Sequence, residues 1–572
     1  MPVKPGLTPI EKDKLNIDPD FDFRDIARRP FYDIKTNEIG LFKWTGVYHQ
    51  LQKGFFMIRL RTPGGLFTSE QLERAADLAE KYAQSEICIT TRQTLQFHWV
   101  RKEDIHKILE GMDEVGIISK NACGDVTRNV ITCSLQGVCP HEIGDTRKML
   151  ERISDDSELK DKQRNLPRKH KISVSGCGRA CGQTLMNCQG WYPVKRFGEN
   201  GVEQTGWKYH AGGGLGARPF MAKVIFDWVP EDLVIEVTQA ATEVFRRHGN
   251  RRVRAFARLK YVVDKFGPEG FGKKVLEEMS RRGINGLDRI EPASDHEPDV
   301  GELYLDGQEV VPQRQEGFNV IRVMILRSEL TANDARLFAQ WAREYGNGTV
   351  MFTNRQNLEL RFVPDESVEP LRRAIGEAGF RSDGLERLPD MVACVGTTQC
   401  NLAVSDTPNT YRKLYDQLAA DRELWEKVGS LRINMNGCPN SCAQHWIADI
   451  GLRGTRRREE TGSEEGFDIF VGGKLHGSGH IAEHVTLVTA QEVVPAIRRM
   501  LEVYLANRLN EKETFGDFTR RIGGKSIAEL MGERSDGHEP VNIRNLKLQP
   551  IFHQVLTEAS VRKRSVGGKG AK

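Results

Sequence analysis

The sequence predicts an α+β chain made of two homologous halves packed about a pseudo-two-fold axis. Three features predict it, each occurring twice and in the same order: a strand–helix–strand–helix pattern, a quartet of cysteines and a glycine-rich segment. Gly54-Phe55-Phe56-Met57-Ile58-Arg59 matches Gly317-Phe318-Asn319-Val320-Ile321-Arg322 at an offset of 263. The same offset pairs Thr68 with Thr331, Tyr82 with Tyr345, Arg92 with Arg355 and Gly116 with Gly379. Cys133, Cys139, Cys177 and Cys181 pair with Cys394, Cys400, Cys438 and Cys442 at an offset of 261. Gly212, Gly213 and Leu215 pair with Gly472, Gly473 and Leu475 at 260. A site lying between such halves can draw residues from both.

Each unit opens with an apolar strand. A helix follows, its start marked by a capping pair, Thr68 with Gln71 or Thr331 with Asp334. A second strand carries TTRQTLQFHW or TNRQNLELRF, and a second helix ends near Gly116 or Gly379. That order suggests a sheet backed by helices. Along the chain we expect an N-terminal arm (1–45), a first helix-backed unit (46–120) and a first cysteine-bearing unit (121–286). A polar linker with three prolines (287–316), a second helix-backed unit (317–385), a second cysteine unit (386–535) and a basic tail (536–572) follow.

Hydrophobic residues make up 39% of the 572-residue chain, charged residues 28%, and the formal net charge is +4. That is the balance of a soluble globular protein, without a dominant nucleic-acid surface. No apolar run reaches the roughly 18 residues of a membrane span. MPVKPGLTPIEKDKLNIDPD has no apolar core of a signal peptide, so a cytoplasmic location is the expectation. Eleven cysteines, an odd number in a reducing compartment, favour metal or redox chemistry over a disulfide framework.

Cys394-x5-Cys400 and Cys438-x3-Cys442 supply four thiolates, the usual ligand set of a [4Fe–4S] cluster. Tetrahedral zinc is the alternative, but its knuckles are usually C-x2–4-C and x5 fits poorly. The pairs sit in glycine- and proline-rich turns, which inert core cysteines would not require.

MVACVGTTQCNLA followed by NGCPNSCAQHWIADIGLRG strongly resembles the cluster motif of sirohaem-dependent sulfite and nitrite reductases. KWTGVYHQLQKGFFMIRLRTPGG and FGDFTRRIG resemble the same family, and the likeness covers most of the chain. It implies that each half is a ferredoxin-like unit joined to a sirohaem- and cluster-binding unit. It also implies that Cys442, the last of the C-x3-C pair, bridges cluster and haem iron, with Asn440 beside it in the cofactor site. In that family, basic residues in the motifs holding Arg92, Arg128, Lys169 and Lys171 cage the substrate. Arginine suits planar oxyanions and lysine can also donate a proton. The second basic position of RK-x-K tends to be Lys in sulfite reductases and Asn in nitrite reductases, so Lys171 favours sulfite. Thr90, Thr91, Gln96, His98 and Asn129 are weaker candidates for haem contacts, and the backbone at Gly212 and Gly213 could wrap haem carboxylates.

The expected activity is six-electron reduction of sulfite to sulfide, serving sulfur assimilation. Nitrite reduction to ammonia is the near rival, and a non-catalytic two-cluster electron-transfer or sensor protein is the rival of another class. No flavin or nicotinamide domain is evident, so electrons should come from a partner, ferredoxin being the expected one. Most family members have lost the first-half cysteines, whereas this chain keeps them, with 37 residues between the pairs in both quartets. The cage is not duplicated, because Pro389 and Ser430 stand where Arg128 and Lys169 have their counterparts. Cys133, Cys139, Cys177 and Cys181 therefore either hold a second [4Fe–4S] cluster, with or without a catalytically poor second haem, or are unmetallated remnants.

Overall fold

The computed structural model describes residues 6–532 except positions 199, 306 and 460–461; the expected basic tail at 536–572 lies outside the described residues. Both capping boxes form as the sequence predicts. Gln71 N donates to Thr68 Oγ1 at 3.2 Å and Thr68 N to Gln71 Oε1 at 3.0 Å, opening the helix Ser69–Tyr82. Thr331 and Asp334 do the same, at 3.1 and 2.8 Å, for Ala332–Tyr345. Each box satisfies two backbone donors that a helix start otherwise leaves unpaired. Thr68→Ala should lower the unfolding free energy of this body by about 1 kcal/mol, read by denaturant titration; an unchanged midpoint would show that the cap contributes nothing.

The two helix-backed units exchange strands. In one sheet the order is Val47–His49, Phe55–Arg59, Leu95–Arg101, Glu86–Ile89 and then Glu329–Thr331 from the other half. In its counterpart the order is Val310–Pro312, Phe318–Val323, Leu358–Pro364, Thr349–Phe352 and then Leu66–Thr68 from the first half. The two units therefore share one apolar core. Phe67 meets Phe352 edge to face at 5.0 Å between ring centres, and both are fully buried within it.

Each cysteine unit carries a mixed sheet with the same plan. Ile131–Thr132, Ile172–Val174 and Gln189–Phe197 run parallel, and the sheet continues antiparallel. Val392–Ala393, Ile433–Asn436 and Ile450–Glu459 repeat this. Cys133 and Cys394 directly follow the first parallel strand of each set, and Cys177 and Cys438 follow the second within three residues. Every cysteine loop thus leaves the same edge of its sheet.

Two segments are more structured than the sequence suggested. Residues 6–45 form three short helices on the first half, with Phe42 and Trp44 buried. The 287–316 segment adds Glu291–Pro292 to one sheet and Val310–Pro312 to another. Between them it straps across the first cysteine unit, with Gly301 N donating to Gly178 O at 2.9 Å and Arg314 N to Val138 O at 2.8 Å. Among the described residues no helix is long and apolar enough to cross a membrane.

Candidate active site between the halves

A single cleft of about 1890 Å³, counting space open to solvent, collects residues from both halves. The first half supplies the turn Thr90–Arg92, then Gln96 and His98 from the strand Leu95–Arg101. It also supplies Arg128 and Asn129 ahead of one parallel strand, and Lys169 and Lys171 ahead of the next. The second half supplies Cys394, Cys400, Cys438, Asn440 and Cys442. Thr91 Oγ1 donates to the Cys442 carbonyl at 3.0 Å, tying the wall of one half to the cysteine loop of the other.

Charge is the defining property of this cleft. Arg59, Arg92, Arg128, Arg168, Lys169, Lys171 and Arg258 line it, and among the described residues no Asp or Glu does. Arg168 reaches Asp125 at 3.6 Å; among the described residues the others have no ion-pair partner. Arg92 Nη1 donates to Asn187 Oδ1 at 3.0 Å, its Nη2 to the Asn129 carbonyl, and its Nε finds no partner. Arg128 spends its donors on the Gly124 and Ala122 carbonyls at 2.6–3.2 Å. Burial, then the neighbouring Arg128, pulls Arg92 down to about 9. Burial, then Arg258, pulls Lys169 down to about 7. Lys171 falls well below the ordinary lysine range, through burial and then Arg92 and Lys169. Uncompensated buried cations are costly. The cleft therefore calls for a ligand carrying several negative charges.

The cysteines call for positive charge. Burial, then Cys442, pushes the Cys394 thiol up to about 12, and burial raises Cys400 and Cys438 as well. Thiolates in such surroundings need a metal to hold them deprotonated. Among the described residues no three His, Cys, Asp or Glu side chains converge where a single ion would sit. Four thiolates suit an iron–sulfur cube, which takes one at each of its four iron corners. Gly437 N donates to Cys394 Sγ at 3.2 Å, a bond of the kind that tunes cluster potential. A polycarboxylate haem beside a cluster fits both demands: its carboxylates answer the cations and its iron can share a thiolate.

Most of the sequence-predicted residues meet here; the first-half cysteine quartet and two glycines do not. Gly212 and Gly213 lie outside the cleft lining. A Cβ on Gly213 would stand 2.5 Å from the carbonyl oxygens of Leu185 and Asn187, so its bareness serves close backbone packing. His98 is buried, and desolvation then Arg59 pull it down to about 3, so it lines the cleft as a neutral imidazole. Sequence reasoning missed Arg59, Arg168 and Arg258 as cleft cations. Arg59 ends the repeated GFFMIR strand and Arg168 adjoins Lys169, so both were within reach of the motifs; Arg258 stands in no motif.

Comparison with known proteins agrees with this geometry. Residues 123–282 and 386–538 match the "Nitrite and sulphite reductase 4Fe-4S domain" family, and 48–115 and 311–378 match the "Nitrite/Sulfite reductase ferredoxin-like half domain". The chain is 31% identical over 511 residues to the assimilatory ferredoxin-dependent nitrite reductase of Haloferax mediterranei, covering 85% of this chain and 86% of that one. It is 30% identical over 537 residues to sulfite reductase [ferredoxin] 1 of Mycolicibacterium paratuberculosis, covering 88% and 92%. The solved structure of the Mycobacterium tuberculosis NirA protein superposes with a TM-score of 0.80 at 27% identity, over 91% of this chain and 97% of that one. The chain belongs to the nitrite and sulphite reductase family, enzymes built on sirohaem and a [4Fe–4S] cluster.

Proposed function

We propose that this enzyme reduces sulfite to sulfide, taking electrons one at a time from a ferredoxin-type donor for sulfur assimilation. The observation that carries the reading is the cleft with seven cations, no carboxylate and a cysteine quartet on its wall. Cys394, Cys400, Cys438 and Cys442 would hold the cluster, with Cys442 shared with the haem iron. Thr90, Thr91, Gln96, His98, Asn129 and Asn440 would bound the haem. When bound, the sirohaem and its cluster supply an iron for the substrate and a store of electrons beside it. Arg92, Arg128, Lys169 and Lys171 would hold the anion, and the two lysines would release protons to its oxygens. The loop carrying Cys400 reaches the surface with Leu402 exposed beside Leu51, whose N–H bonds Gln399 O at 3.1 Å. That surface offers a donor a short approach.

Lysine at position 171 supports sulfite. Nitrite reduction to ammonia is the second reading, supported by the relatives that bear that name at a similar identity. Steady-state assays with both anions, beside a visible spectrum of the purified protein, test the reading. A protein without sirohaem absorption would sink both.

Lys169 makes a pH prediction. A lysine drawn down to about 7 by burial is charged below that pH and loses its proton above it. Proton delivery, and with it kcat, should fall as the pH rises through the Lys169 range, which the haem carboxylates shift upward. Lys169→Met should remove this alkaline limb and leave a low, flat profile. A variant that keeps the limb would assign it to another group.

A further inference from the structure

The first-half quartet repeats the catalytic quartet in detail. Gly176 N donates to Cys133 Sγ at 3.3 Å, as Gly437 N does to Cys394 Sγ at 3.2 Å. Asn354 Nδ2 donates to the Cys181 carbonyl at 3.1 Å, as Thr91 Oγ1 does to that of Cys442 at 3.0 Å. Ala180 and Gln183 hold φ of +53° and +62°, and their counterparts Ser441 and Gln444 hold +55° and +65°. Left-handed backbone at a residue with a side chain is strained and persists where the surroundings demand it. Both loops retain it. Cys133 and Cys181 interact directly, Cys139 and Cys177 lie within electrostatic reach of them, and no cysteine among the described residues is in a disulfide. As at the other quartet, no three ligands converge on one point. Remnant thiols need neither the left-handed loop nor the N–H···S bond.

The space beside this quartet differs from its counterpart. It is a cavity of about 790 Å³, less than half the volume of the catalytic cleft. Two of its three arginines are already neutralised, and only Arg432, the counterpart of Lys171, has no ion-pair partner among the described residues. Arg355, the counterpart of Arg92, pairs with Asp390 at 2.9 Å, and Arg322, the counterpart of Arg59, pairs with Glu386 at 2.6 Å. Asp390 occupies the position that Asn129 holds in the first half. Leu303 and Leu305 of the 287–316 strap line the cavity as well. A group carrying many carboxylates would meet one unpaired cation here, against six in the catalytic cleft, and less than half the room.

We propose that Cys133, Cys139, Cys177 and Cys181 hold a second [4Fe–4S] cluster with no haem of its own, sheltered under the 287–316 strap. The two sites are joined at the pseudo-two-fold axis. Gln183, two residues beyond Cys181, and Gln444, two residues beyond Cys442, donate to each other's side-chain oxygens at 2.8 and 3.1 Å. The second cluster is then a one-electron store that a low-potential donor fills and that empties toward the catalytic quartet. The proposal rests on the reductase reading only for that destination, and the cluster itself can be tested apart from it.

The test is iron, acid-labile sulfide and sirohaem per chain in the protein purified without oxygen, with Cys177→Ser and Cys400→Ser beside it. The unmodified chain should hold about eight cluster irons in addition to the haem iron. Cys177→Ser should lose about four irons while keeping the sirohaem absorption, and reductive titration should take up one electron fewer. Sirohaem with only about four cluster irons, retained in Cys177→Ser and lost in Cys400→Ser, overturns the second site and leaves the reductase standing. Iron lost in Cys177→Ser from a protein that carries no sirohaem keeps the second site and sinks the reductase reading instead.

Discussion

Cys442→Ser is expected to abolish six-electron turnover while leaving the fold in place. Cys442 is exposed to the cleft rather than packed in a core, so the substitution would remove the proposed ligand and create no cavity. A serine hydroxyl keeps the size of the group but offers iron no soft thiolate. If Cys442 is the atom shared by cluster and haem, the variant loses the covalent route between electron store and substrate iron. Sirohaem absorption, iron content and turnover should be read together. Turnover should fall below detection with the circular dichroism unchanged. A variant that keeps substantial turnover would show that the shared ligand is another residue. Cys438→Ser is the control, because it removes a cluster ligand without the proposed bridge.

The duplication was legible because it was written in residues whose chemistry constrains them. Thr68 with Gln71 and Thr331 with Asp334 announced helix starts, and the structure forms both boxes. The cysteine spacings announced two loops of one shape, down to the matched left-handed residues. The exchange of Leu66–Thr68 and Glu329–Thr331 between sheets was not legible. A three-residue edge strand looks the same in sequence whichever sheet it joins, and partner choice is settled by the shared core. The 287–316 segment read as a linker because it is polar and rich in proline, yet its Val300 and Val311 are buried. The Gly212–Gly213 pair signals close approach, and the approach seen is of Gly213 to the backbone of 185–187 and of Gly212 to the Val263 side chain. The cage motifs pointed to four cations, but the absence of every carboxylate from the cleft could only emerge from the fold.

That one-sided charge makes Lys171→Asn the most informative substitution in the cage. Sulfite can bind as a dianion with three oxygens, whereas nitrite is a monoanion with two, so a second positive charge matters more to sulfite. Asparagine keeps a hydrogen-bond donor and removes the charge. A charge-assisted hydrogen bond contributes about 1.5–3 kcal/mol, so kcat/KM for sulfite should fall about 10- to 100-fold. Nitrite should lose less, and the ratio of the two should move toward nitrite. Burial, then Arg92 and Lys169, holds Lys171 well below the ordinary lysine range. Equal losses for both anions would mean that Lys171 does not discriminate between the two substrates.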